Sequence, residues 1–129
     1  MSSEESTYPE DWTRIAGKDL DRAKRMLADN DPEAAGFFVQ QALEKYLKAF
    51  LLSKGWALKR IHDLEVLLND ALSYDPLLEE FRLLCERATG YYFVDRYPFS
   101  APAGMTDEKV AQSLAEARRL IEHLKAAIS

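Results

Sequence analysis

Apolar residues fall at helical spacing along most of this chain. Trp12, Ile15, Ala16, Leu20, Ala23 and Leu27 recur every three or four positions and gather on one face of a first helix. Asp29-Asn30-Asp31-Pro32 interrupts that pattern and opens the next. Asp31 is a helix-capping residue, and Pro32 suits a first turn, where a missing N–H costs nothing. The second helix contains FFVQQALEKYLKAFLL, runs to about Lys54 and stops at Gly55, a residue suited to a left-handed terminal position.

The loop GWALKRI leads to a shorter third helix, with Leu64, Leu67, Leu68 and Ala71 on its apolar face. His62 and Glu65 have the spacing of a weak capping box at its start. Asp75-Pro76 repeats the Asp31-Pro32 device and opens a long fourth helix, with Leu77, Leu78, Phe81, Leu84, Cys85, Ala88 and Tyr91 or Tyr92 inward. Pro98, Pro102 and Gly104 make residues 98–105 a non-helical crossing. Thr106 caps a last helix whose stripe is Val110, Leu114, Ala117, Ile121, Leu124 and Ile128. With no alternating Val/Ile/Thr-rich run, the pattern predicts an all-α fold, an up-and-down bundle of four or five helices. The expected organisation is a flexible arm over residues 1–8 and a single helical domain over 9–129.

Composition narrows the functional classes. The formal charge of −5 over 129 residues disfavours broad, non-specific nucleic-acid binding and leaves room for a local basic site. The single cysteine, Cys85, excludes an internal disulfide framework and sits among leucines as a small buried hydrophobe. No apolar run reaches membrane-spanning length, and MSSEESTYPE lacks the basic and greasy regions of a signal peptide. A cytoplasmic setting is expected, without membrane contact.

The chain has no phosphate loop, glycine-rich dinucleotide fingerprint or glycine-flanked nucleophilic serine. Its two histidines, His62 and His123, form no close ligand pair, so neither a metal site nor a cofactor is expected. His62 either caps the third helix or bonds to the preceding loop, or it contacts a phosphate near that helix N-terminus. His123 is expected at or near the surface. Glu44 and Lys48 have the orientation of a supporting i,i+4 ion pair. Lys45 lies in phase with Ala42, Tyr46 and Ala49, close to the core side, and there needs a carboxylate. Asp19, on the apolar side of the first helix, is the expected partner.

Arg96-Tyr97-Pro98 is the sharpest short signal. Proline ends a helix, so Arg96 is held at its end, where it either forks onto a phosphate or pairs with a carboxylate or terminal carbonyls. Tyr91, Tyr92, Phe93, Tyr97 and Phe99 add aromatic area beside it, either as a base-stacking surface or as a dimer interface, with the interface favoured.

These pieces together resemble the small HEPN domains (higher-eukaryote and prokaryote nucleotide-binding). The resemblance rests on Trp12 to Ala23, on the Phe-Phe-x-Gln-Gln-Ala-x-Glu-Lys-x-Leu-Lys-Ala stretch at 37–49, on His62-Asp63-Leu64 and on Arg96-Tyr97-Pro98. It implies a helical bundle, usually a homodimer, often paired with a separately encoded minimal nucleotidyltransferase in toxin–antitoxin or related systems. Many members of the broader family are metal-independent ribonucleases with an arginine followed after four to six residues by a histidine. Arg96 matches that arginine, but Ala101, Pro102 and Ala103 occupy the places of the histidine. Phosphodiester cleavage by acid–base catalysis needs a group that titrates near neutrality, so no catalytic residue is assigned.

The sequence therefore points to a non-catalytic module that contacts nucleotide or RNA, or to the companion of a nucleotidyltransferase. Arg96 is the expected phosphate contact, Lys45 and Asp19 the pocket wall, and His62 its edge. A divergent metal-independent ribonuclease and a purely structural interaction module are the alternatives.

Overall fold

The computed structural model describes residues 6–93 and 105–128, and all regular structure in them is helical. Helix α1 spans Pro9–Ala28, α2 Pro32–Ser53, α3 Leu64–Leu72, α4 Arg82–Thr89 and α5 Asp107–Ile128. Two 3-10 segments, Pro76–Phe81 and Gly90–Phe93, flank α4.

Local chemistry sets the turns. Asn30 takes a positive φ of 58°, Asp31 then accepts a hydrogen bond from Ala34 N, and Pro32 occupies the first turn of α2. This tight reversal lays α1 against α2, the most extensive helix pair of the bundle. At the far end Gly55 has φ 90°, a conformation that glycine adopts without a Cβ penalty. Thr106 Oγ1 accepts from Lys109 N at 3.2 Å at the start of α5.

Helix α2 is the centre of the fold, packing on α1, α3 and α5. Phe50, Leu43, Leu47 and Leu51 are fully buried along it. Each such side chain contributes roughly 1.5–3 kcal/mol by leaving water. Because neighbours surround this helix, its polar residues Gln40, Glu44 and Lys48 are buried as well. That arrangement makes the site.

Two expectations for the middle of the chain are corrected. The fourth element is not one long helix: a 3-10 turn over Pro76–Phe81 precedes α4, and another follows it. The three-residue period of that first turn puts Leu78 and Phe81 on one inward face, whereas Leu77, expected inward, is 73% exposed. His62 does not cap α3 either. Asp63 is the cap, accepting from Glu65 N at 2.9 Å, and His62 lies one residue before that cap.

Candidate functional site

Four polar side chains from the interior define the candidate site: Asp19 on α1, and Gln40, Glu44 and Lys48 on α2. Each is 3% exposed or less, a setting in which an unanswered charge is costly. All are answered. Lys48 Nζ donates to Glu44 Oε2 at 3.0 Å, while Gln40 Nε2 donates to Glu44 Oε1 at 3.1 Å and to the carbonyl of His62 at 3.0 Å. Gln41 Nε2 donates in turn to Gln40 Oε1 at 2.7 Å. Glu44 and Lys48 thus form the i,i+4 ion pair expected from their spacing, and the pair is buried.

His62 closes this network from outside. Its Nδ1 lies 2.9 Å from Glu44 Oε1, and one imidazole face stacks on Tyr92 at 4.7 Å and 15° between planes. Tyr92 stacks on Phe37 behind it. Two backbone anchors fix the chain here: the Gln40 bond to the His62 carbonyl, and Leu64 N donating to Thr89 Oγ1 on α4. The preceding loop is tied down by Asp70, which accepts from Trp56 Nε1 at 3.0 Å and faces Lys59 Nζ at 3.5 Å.

A second ion pair completes the wall. Lys45 Nζ lies 2.5 Å from Asp19 Oδ2, joining α2 to α1, and Arg22 donates to the other oxygen of Asp19 at 2.8 Å. The bond between Asp19 and Lys45 is the interhelical contact anticipated from the phase of the two helices.

Between these groups lies a small open pocket with a cavity volume of about 70 Å³. Trp12, Gln41, Glu44, Lys45 and Lys48 line it from α1 and α2. Lys59, Arg60 and His62 line it from the loop. The lining carries four cations and one carboxylate, with Asp19 and Asp70 pairing Lys45 and Lys59 from just outside it, although the whole chain is acidic. The face of Trp12 lies 5.3 Å from Lys48 Nζ and adds a further electrostatic contact to the buried ammonium. The pocket is therefore suited to an anion.

The sequence-derived site residues separate into three groups. Lys45 and His62 line the pocket, with Asp19 directly behind Lys45. Tyr92 supports His62 from the side. Tyr91 is a core residue instead of an interface residue: it is 3% exposed, and its hydroxyl is 3.1 Å from Ser113 Oγ on α5. Arg96, Tyr97 and Phe99 lie outside the described residues.

The spacing of Gln40, Glu44 and Lys48 brings them close to the buried side of α2, as bundle-internal partners or part of a site, but it did not give their network with His62, and it gave no site role to Trp12, Lys59 or Arg60. A signal for the first three was present. From Ala42 to Leu52 only Glu44, Lys45 and Lys48 are polar, so the stripe Gln40-Glu44-Lys48 is narrow and flanked by apolar positions on both sides. Lys59 and Arg60 carried no such signal, because loop folding alone brings them over α2. Among the described residues no three His, Cys, Asp or Glu side chains gather as a metal site.

The HEPN domain family model matches residues 9–127. The chain belongs to the HEPN domain family. TT1696 from Thermus thermophilus has a similar crystal structure, with a TM-score of 0.81 at 27% identity, covering 92% of this chain and 97% of that one. The crystal structure of ST0689, an archaeal HEPN homologue, has a TM-score of 0.75 at 26% identity, covering 95% and 98% of the two chains. No curated protein matches the sequence. The HEPN assignment embraces every element of the described bundle, α1 through α5. Among the described residues no helix is long and apolar enough to cross a membrane.

Proposed function

We propose that this HEPN domain is a non-catalytic module that binds nucleotide or RNA through phosphate in the pocket between α2 and the loop before α3. The observation that carries this reading is the lining itself: Lys45, Lys48, Lys59 and Arg60 converge with His62 around one carboxylate that already has partners. Ammonium and guanidinium groups offer charge-assisted donors to phosphate oxygens. Burial of the Glu44–Lys48 pair holds the floor in place before any ligand arrives. The family resemblance supplies the setting, a homodimer acting as companion to a small nucleotidyltransferase in the manner of a toxin–antitoxin pair. Arg96 is a further phosphate contact in this reading, on the strength of its match to the family arginine.

The test is calorimetric titration of the purified chain with ATP, GTP and a short single-stranded RNA at two salt concentrations. The RNA is recovered on a gel afterwards. Saturable, salt-sensitive binding that weakens about tenfold or more in Lys59→Ala/Arg60→Ala, with RNA intact, is the expected result. Arg96→Ala, titrated in parallel, tests the family arginine. Cleaved RNA overturns the non-catalytic assignment, and absence of binding by the wild type removes the ligand assignment for the isolated chain.

A further inference from the structure

The pocket has a floor and a rim that offer different chemistry. On the floor, Lys48 is 3% exposed, its ammonium lying between Glu44 and the face of Trp12. Lys45, three residues earlier on the same helix, is bonded to Asp19. An ammonium has three N–H donors, and one carboxylate bond uses one of them. On the rim, Lys59 and Arg60 are exposed.

His62 sits at the same rim with its two sides in contrasting states. One face lies on Tyr92 and the Nδ1 edge is taken by Glu44, yet the side chain remains 50% exposed. The accessible surface is therefore the opposite face and the Nε2 edge. Phe37, Tyr92 and His62 form a tier of rings, at 6.2 Å and 27° and then 4.7 Å and 15°. This tier ends in an open aromatic plate beside a cationic pocket.

We infer that the pocket takes a phosphate monoester end-on, while the base of the same nucleotide stacks on the open face of His62. The ligand is then a mononucleotide or the terminal nucleotide of a single strand, not an internal stretch. This inference deepens the phosphate-binding reading above and rests on it.

Two physical arguments support the choice. An internal phosphodiester continues through both of its ester oxygens and needs a groove open at two ends. Here Trp12, Glu44 and Lys48 close the inner side, each 3% exposed, so a phosphate enters with a single ester link trailing outward. A monoester also carries a second negative charge near neutral pH, to which two lysines on one helix are better matched than to a diester. The base contact follows from position and rigidity. His62 is fixed by a ring on one side and by a buried carboxylate on its edge, so stacking on it costs little ordering of the protein.

The experiment titrates the full chain with inorganic phosphate, ribose 5-phosphate, AMP, and a five-nucleotide single-stranded RNA carrying either a 5′-phosphate or a 5′-hydroxyl. The RNA is prepared with a 3′-hydroxyl throughout. Expected are binding about tenfold tighter for the phosphorylated strand than for its hydroxyl counterpart, and about tenfold tighter for AMP than for ribose 5-phosphate. His62→Ala brings AMP down to the level of ribose 5-phosphate. His62→Phe, which keeps the plate, retains most of the difference, and thermal melts of both variants establish that each is folded. Equal affinity for the two RNA ends overturns end-on binding while leaving the phosphate reading intact. Equal affinity for AMP and ribose 5-phosphate, or a difference that survives His62→Ala, overturns the stacking role. If none of the probes binds, the phosphate reading beneath both fails.

Discussion

Glu44 on α2 holds the imidazole of His62, eighteen residues further along the chain, with Nδ1 2.9 Å from Oε1. Its other oxygen is bonded to Lys48, so one buried carboxylate organises both the floor and the rim of the pocket. Removing its charge therefore affects the partners unequally. Lys48 has side-chain exposure of 4% and meets little water at the pocket floor, whereas His62 can be solvated where it stands.

Glu44→Gln is accordingly expected to cost about 3–5 kcal/mol, because it strands a buried ammonium. His62→Ala should cost only about 1 kcal/mol, the worth of one hydrogen bond at a half-exposed site. In the double variant Glu44→Gln/Lys48→Met no charge is stranded, and stability should recover part of the loss. Urea unfolding of all three checks this. A Glu44→Gln variant within about 1 kcal/mol of the parent would show that the pair does not hold the floor.

Asp19 serves two cations of different burial, and their couplings should differ. Lys45 has a side-chain exposure of 17% and Arg22 one of 43%. Double-mutant cycles are expected to give about 1–3 kcal/mol for Asp19 with Lys45, against about 0–1 kcal/mol for Asp19 with Arg22. Equal couplings would contradict the assignment of Lys45 as the interhelical tie.

The fold was legible because its punctuation is local: Asp31-Pro32, Gly55, Asp75-Pro76 and Thr106 each act within a few residues of themselves. The Asp19–Lys45 contact was legible for a related reason, since helical phase puts both on the facing sides of adjacent helices. The pocket was much less so. Whether Glu44 is a surface partner of Lys48 or a buried anchor depends on what covers α2. That cover comes from the loop over residues 55–63, whose path is set by Asp70 and Gln40 rather than by a repeating pattern. The 3-10 turn at Pro76–Phe81 was hidden for the converse reason: the same residues satisfy periods of 3.0 and 3.6 over so short a run.

Cys85 is fully buried, and burial raises its thiol to about 12. At pH 8 roughly one molecule in ten thousand then carries the reactive thiolate, whereas an ordinary thiol has about a quarter ionised. The native chain should resist a disulfide reagent over hours and react within minutes once unfolded in urea. Rapid labelling of the folded protein would contradict the packed α3–α4 core.

Asp75 and His123 tie the 3-10 turn before α4 to α5, with Nε2 2.6 Å from Oδ2. That hydrogen bond is the main cause holding the Asp75 carboxyl below its ordinary value; Leu77 N and the charges of His123 and Lys54 add to it. A carboxyl lowered in the folded state stabilises the protein above its unfolded value, about 3.9, and the contribution is lost as pH falls through the folded one. Asp75→Asn keeps a capping oxygen for Leu77 but removes the charge. Its melting temperature should fall below that of the parent at pH 6, and the gap should narrow as pH drops below about 4. In a His123→Gln background the same substitution should have a smaller effect at pH 6. A gap that stays constant from pH 6 to pH 3 would mean that Asp75 acts through its cap alone, with no contribution from the contact to α5.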